Sequence, residues 1–450
     1  MALVRPVRGL RYDLSRAGDA GQLLAPPYDV VDDAGRARIA ARSPHNCIHV
    51  ILPQGEGDTK YAEGAQQFER LKAEALTHDE APSFYVYHQT FSSEGQQYTR
   101  KGFIGLIELT RFGAGPVLPH ERTLAGPKAD RLKLMRACMA HLELVFGMFS
   151  DPARGWEASL GELGAPVLDA DFDGAHHTLF RVDDPRATAA LAQLLEDRKI
   201  YIADGHHRYE TMCSFRDELA AEGRGETARW GLIYLSNLDD PGLVVLPTHR
   251  LVHSVTSFDL RTTLAALAPF FDIAEVSLPG NAADLRSKLA ESAANGAAFG
   301  LAVPGQGALH VLSLRKDFEP SAAGLGHLHV ALQRLDVALL HELVLERGLG
   351  ITREAQSQNT NLRYYKSTDA ALAVAAGPAS VHAGEASNLV VASDPVVADV
   401  VQLVCFMNPT PVADVRAVCD SGEVMPQKST FFYPKIPTGL VFHDLRNDLA

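Results

Sequence analysis

Short apolar runs rich in β-branched and aromatic residues recur along the chain, at 47–52, 84–87, 103–109, 144–149, 178–182, 232–235 and 243–246, and they predict strands. Between them apolar positions return with helical period over 61–76, 130–142 and 209–222, which predicts amphipathic helices. Strands and helices mix without a regular βαβ alternation, so the expected fold class is α+β, a mixed α/β chain on a mixed sheet. A glycine-rich stretch at 155–174 and an Ala-, Leu- and Ser-rich stretch at 254–324 mark candidate boundaries. The expected organisation is a catalytic core over 1–253, an accessory α/β lobe over 254–324, and a C-terminal region over 325–450 that returns to the core. The late apolar stretch 389–407 is too polar for a membrane span, because Asp394, Pro395 and Asp399 interrupt it.

Composition narrows the function. The chain has 450 residues, 46% hydrophobic and 22% charged, enough to bury a sizeable core. Its net charge of -13 argues against a general nucleic-acid binder, which needs a basic face to displace counterions from phosphates. The first residues carry no apolar signal core. The five cysteines form no CxxC pair, which favours reduced thiols in a cytoplasmic enzyme.

The unusual residues gather in three segments. In Ile200-Tyr-Ile-Ala-Asp-Gly-His-His-Arg-Tyr-Glu an apolar strand runs into a turn at Asp204-Gly205, and a helix starts near His207. His206, His207 and Arg208 then occupy a first helical turn, where free N–H groups and the dipole attract anions. Asp204 can cap that helix or hold a divalent ion against a phosphate. In the second segment Pro119 stops a strand, His120 and Glu121 follow on a loop, and Gly126-Pro127 turns the chain into a helix near Asp130. Lys128, Arg131 and Lys133 crowd a helix start that by itself prefers anionic side chains, which suggests an external anion between them. Glu121 can serve as a general base, a metal ligand or half of a surface pair.

The third segment is Met425-Pro-Gln-Lys-Ser-Thr-Phe-Phe-Tyr-Pro-Lys-Ile-Pro, whose prolines forbid a long helix. Phe431, Phe432 and Tyr433 look like anchors, and they hold Lys428, Ser429, Thr430 and Lys435 on an extended segment able to supply a phosphate-binding lysine. Smaller spots are the double-proline turn with Asp29, His249 and Arg250 after Pro247-Thr248, and Asn408 at the end of the late apolar run. No HExxH, GxSxG or Walker A pattern occurs, and no GxGxxG follows a strand.

The motifs Ala25-Pro-Pro-Tyr-Asp-Val, Pro119-His-Glu with Gly126-Pro-Lys-Ala-Asp-Arg, Ala203-Asp-Gly-His-His-Arg-Tyr-Glu, Pro247-Thr-His-Arg and Met425-Pro-Gln-Lys-Ser-Thr-Phe-Phe-Tyr-Pro-Lys resemble domain-of-unknown-function family 1015, from near residue 5 to near 443. Pro119-His-Glu and Asp204-Gly-His-His-Arg are also similar to two motifs of the ParB/sulfiredoxin-like free serine kinases, which phosphorylate L-serine to O-phosphoserine. Those kinases are much smaller, with motifs closer together, and nothing in them matches the C-terminal Lys-Ser-Thr segment.

This second resemblance implies a ParB/sulfiredoxin-like core with insertions, and a phosphotransferase acting on free L-serine or O-phosphoserine. It implies Glu121 as the base, with Asp204, His206, His207 and Arg208 as the phosphate and metal site. The expected catalytic residues are Glu121, Asp204 and His206. Phosphate is expected on His207, Arg208, Lys128, Arg131, Arg250 and Lys428, and substrate on His120, Ser429, Thr430 and Asn408. Mg2+ on Asp204 and a nucleotide or pyrophosphate donor complete the picture. The same site run towards serine is a phosphoserine phosphatase. From another class comes a ParB-like nucleotide- or DNA-binding regulator, against which the acidic charge weighs.

Overall fold

In the computed structural model, which describes residues 1–123, 125–294, 296–377 and 401–446, the chain divides into two compact units. The first holds 1–119, 123–244 and 434–450, and the second holds 120–122 and 245–433. The 389–400 part of the late apolar stretch lies outside the described residues.

The first unit is built on a nine-stranded sheet. Its order is Val117–Leu118, Ile200–Asp204, Val145–Phe149, Trp230–Asn237, Gln96–Glu108, Phe84–Ser93, Ala175–Val182 and Leu168–Phe172, with Val4–Arg5 alongside Gln96–Glu108. Ile200–Asp204 runs parallel to Val117–Leu118, and Trp230–Asn237 parallel to Val145–Phe149, while the remaining pairs are antiparallel. This is the mixed sheet that the irregular order of elements predicts. Its long hairpin turns at Glu94-Gly95, both at positive φ (55° and 78°), the tight two-residue turn that matches strand twist. Val145–Phe149 is buried throughout, which is why it reads as a continuous apolar run. The glycine-rich stretch 155–174 lies inside this unit.

Two expectations are corrected here. The run 47–52 is a helical turn, Ile48–Ile51, and not a strand. Periodicity cannot separate so short a run, and buried Asn46 decides it by accepting from the Ile48 N–H at 2.9 Å. The second segment's helix spans Ala125–Cys138, so Gly126-Pro127 lies in its first turn, where proline loses no helical hydrogen bond. The other two helices stand at Thr59–Glu74 and His206–Ala221.

The second unit carries a six-stranded antiparallel sheet in the order Phe271–Ser277, Ala308–Leu314, Ala298–Ala302, Val401–Met407, His249–His253 and Leu362–Tyr365. Alternate residues feed two cores: Phe299, Leu301, Leu403 and Cys405 on one face, and Ala302, Val404 and Phe406 on the other. Leu260–Leu267 and the π-helical Leu340–Gly348 contribute to the first core, and Ala282–Ser292 and Thr368–Ala376 to the second. Among the described residues no helix is long and apolar enough to cross a membrane. All five cysteines are buried and unpaired.

Candidate active site

In the first unit the buried strand Ile200–Asp204 delivers Asp204 to a sharp turn. Gly205 makes the turn at φ +87°, and a Cβ there would stand 3.0 Å from the Arg208 guanidinium. The helix His206–Ala221 starts directly afterwards with no side-chain cap on its first N–H groups. His206 is buried on the first turn, with His207 beside it.

Arg208 folds back rather than reaching out. Its Nη2 donates to Asp204 Oδ2 and its Nη1 to the Leu144 carbonyl, and the residue is 6% exposed. The other Asp204 oxygen accepts from Lys435 Nζ. Burial opposes ionisation of Asp204, but the Lys435 ammonium and the Arg208 guanidinium overcome it and hold the carboxyl well below its usual range. Arg208, penalised by burial, is pushed up by Asp204, Glu143 and Asp29. One carboxylate therefore gathers two cations at a helix start.

The backbone that carries Lys435 is gripped by the long hairpin. Gln89 Nε2 donates to the Lys435 carbonyl at 3.1 Å, and the fully buried Arg100 donates to the Pro434 carbonyl at 2.6 Å and to Gln89. Around Arg208 stands a further charged layer. Buried Glu143 accepts from the Tyr28 N–H at 3.1 Å and lies 3.7 Å from Arg131, whose guanidinium also covers the Tyr28 ring at 4.2 Å. Burial raises the Glu143 carboxyl although Arg208 and Arg131 pull it down.

The cations at the start of Ala125–Cys138 are answered by the protein's own carboxylates. Lys128 meets Glu210 at 3.0 Å, Lys133 meets Asp58 at 2.7 Å, and Arg131 pairs with Asp130. An external anion between them, as the sequence suggests, is not needed to balance their charge. A metal finds no better fit. Both Asp204 oxygens are committed to cations, and among the described residues no group of three or more His, Cys, Asp or Glu is arranged to hold an ion. The residues present do not fit Mg2+ as a protein-held cofactor.

The second unit holds the other expected residues. Glu121 bridges to Met425, and its Oε1 accepts from the Lys428 N–H at 2.7 Å. His120, 1% exposed, contacts Thr430 Oγ1 at 2.8 Å through Nε2, and its carbonyl accepts from the Met425 N–H at 2.8 Å. Lys428 is left-handed at φ +57°, a strained setting for a residue with a Cβ. Arg250 Nη2 donates to the Lys428 carbonyl at 3.2 Å. Ser429 turns its hydroxyl into the Pro426 carbonyl, so it holds the loop's shape. Asn408 donates to the Leu289 carbonyl at 3.3 Å.

The geometry thus groups Asp204, His206, His207 and Arg208 in the first unit, and Glu121, His120, Lys428, Thr430 and Arg250 in the second. Lys435, Glu143 and the Arg100–Gln89 grip complete the first group without having been assigned from sequence. Only Lys435 gave a signal, as a lysine held between two prolines.

The sequence profile described as "Protein of unknown function (DUF1015)" matches residues 4–338. The chain belongs to this family. Among curated proteins no match is found. Solved structures similar to this DUF1015 chain include a free serine kinase variant in complex with ADP, 12% identical, covering 72% of this chain and 89% of that one at a TM-score of 0.33. A conserved hypothetical protein from Pyrococcus furiosus is 13% identical, with 72% and 92% covered and a TM-score of 0.31. SbnI with a C-terminal truncation, from Staphylococcus aureus, is 8% identical, with 74% and 87% covered and a TM-score of 0.31. Overlaps this loose do not transfer an activity.

Proposed function

We propose that this DUF1015 chain is a phosphotransferase acting on free L-serine or O-phosphoserine, built around a ParB/sulfiredoxin-like core. The observation that carries the reading is the turn at Asp204, where Arg208 and Lys435 are fixed on one carboxylate at an uncapped helix start. Phosphoryl transfer asks mainly for positioning and charge neutralisation, and one well-placed arginine contributes ~10³–10⁵ in rate. The turn with His206, His207, Arg208 and Lys435 takes the phosphates of a nucleotide or pyrophosphate donor. Glu121 takes the proton of the serine hydroxyl, the serine oxygen bonds to the terminal phosphorus, and the bond from that phosphorus to the donor's bridging oxygen breaks. Asp204 orients Arg208 and Lys435. Buried, unpaired cysteines fit an enzyme of the reducing cytoplasm.

Phosphorus NMR tests this with L-serine and, in turn, ATP, ADP and pyrophosphate, each with and without Mg2+, beside a phosphoserine-only control. Appearance of phosphoserine supports the transfer and names the donor. Phosphoserine consumed alone makes the same site a phosphatase. Silence in every tube overturns the reading.

A further inference from the structure

Arg250 stands in the second unit at 1% exposure, on the strand His249–His253, and no carboxylate among the described residues pairs with it. Its Nη1 donates to the Thr248 carbonyl and its Nη2 to the Lys428 carbonyl at 3.2 Å, with the Tyr364 ring centred 5.5 Å away. Two buried polar atoms of the same tetrapeptide have no hydrogen-bond partner among the described residues: Arg250 Nε and Thr248 Oγ1. A buried guanidinium with no carboxylate, in the same tetrapeptide as an unsatisfied hydroxyl, calls for an explanation, and a received anion supplies one.

The neighbours set the charge of that anion. His341, from the π-helical segment, gives its Nδ1–H to Gln356 Oε1 at 2.7 Å and turns Nε2 to Arg250 at 3.5 Å as an acceptor. His249 accepts from the Met407 N–H at 3.1 Å through Nδ1 and so donates from Nε2 to Thr368 Oγ1 at 3.1 Å. Burial, with the Arg250 charge added and, for His249, that of Arg286, lowers both imidazoles to about 3, so both are neutral at pH 7. Neither histidine adds charge, and Arg250 is a guanidinium whose Nε lacks a partner among the described residues. Its planar fork matches a carboxylate, whose one charge a guanidinium balances.

One residue links this guanidinium to the proposed base: the Lys428 carbonyl accepts from Arg250, and the Lys428 N–H donates to Glu121. We propose that Arg250 and Thr248 form a carboxylate subsite that binds the α-carboxylate of the amino-acid acceptor whose hydroxyl is presented to Glu121. The proposal rests on the phosphotransferase reading for the acceptor's identity. The incoming carboxylate replaces the Lys428 carbonyl on Nη2 and reaches Arg250 Nε and the Thr248 hydroxyl.

Calorimetry on the full chain without any phosphate donor tests this separately from transfer, with L-serine, L-serinamide and inorganic phosphate as probes. L-serine should bind about 10–100-fold more tightly than the amide, which lacks the carboxylate, and phosphate should not compete. Arg250→Met should abolish that preference, and Thr248→Val should reduce it in a protein that keeps its fold. The amide comparison uses the native chain, so it stands even if the arginine variant fails to fold. Equal binding of serine and amide, no binding of serine, or full preference retained in Arg250→Met overturns the subsite. Carboxylate-dependent binding without any phosphoryl transfer leaves the subsite standing and overturns the phosphotransferase reading. Phosphoserine formation alongside equal phosphorylation of L-serinamide does the reverse.

Discussion

Each unit buries an arginine at the end of a short histidine-containing motif, and each treats its arginine differently. In Asp204-Gly-His-His-Arg the guanidinium is locked on a carboxylate that also holds Lys435. In Pro247-Thr-His-Arg the guanidinium has carbonyls and a neutral histidine, and its Nε has no partner among the described residues. The first arrangement fixes a cation in place before a ligand arrives. The second keeps a cation whose balance is left to the ligand. A donor with several negative charges suits the first and a monoanionic acceptor suits the second.

The largest effect that separates them is on stability. Asp204→Ala leaves Arg208 and Lys435 buried without their carboxylate and should cost about 3–5 kcal/mol in chemical unfolding. Arg250→Met removes a charge that had no carboxylate and leaves only the Thr248 and Lys428 carbonyls without its donors, so its cost should be smaller, about 1–3 kcal/mol. Equal costs would erase the distinction.

Next comes the response to acid. His249 and His341 stay neutral in the fold down to about 3, whereas the unfolded chain protonates them near its ordinary value of about 6.5. The unfolded state therefore binds more protons, and stability falls as pH drops below about 6.5, by about 1.4 kcal/mol per pH unit for each histidine. In Arg250→Met only the smaller cause is lost, burial remaining, so NMR titration should show both imidazoles moving up part of the way. Asp204 acts lower on the scale: its lowered carboxyl contributes stability above about 3.9, lost as pH falls from there toward the folded value. Arg208→Met should move that carboxyl up and leave His249 and His341 unchanged.

Smaller effects probe how the donor turn is held. Gly205→Ala forces a side chain into φ +87° against Arg208 and should cost about 1–2 kcal/mol, with weaker donor binding in calorimetry. Gln89→Leu frees the Lys435 carbonyl and should cost about 1 kcal/mol. It should also raise KM for the donor several-fold while KM for the acceptor holds.

Much of this was legible from local pattern. The buried strand, the Asp204-Gly205 turn and the helix behind it follow from an apolar run broken by a dipeptide that tolerates positive φ. The mixed sheet followed from the irregular order of elements. What stayed hidden depends on contacts distant in sequence. Lys435 lies 231 positions from Asp204, and Glu121 lies 307 positions from Lys428. The Glu210 that meets Lys128 and the Glu143 near Arg131 likewise sit on other elements. The run at 47–52 read as a strand because four buried apolar residues have no period to measure, and the turn that buried Asn46 makes onto the Ile48 N–H outweighs them.

The most direct test measures donor binding and phosphoryl transfer side by side on the native chain and on Glu121→Gln. Loss of phosphoserine formation with donor affinity essentially unchanged is the predicted result, because the proposal assigns the phosphates to the Asp204–Arg208 turn and the proton to Glu121. Native turnover in Glu121→Gln, or donor binding lost together with turnover, contradicts it.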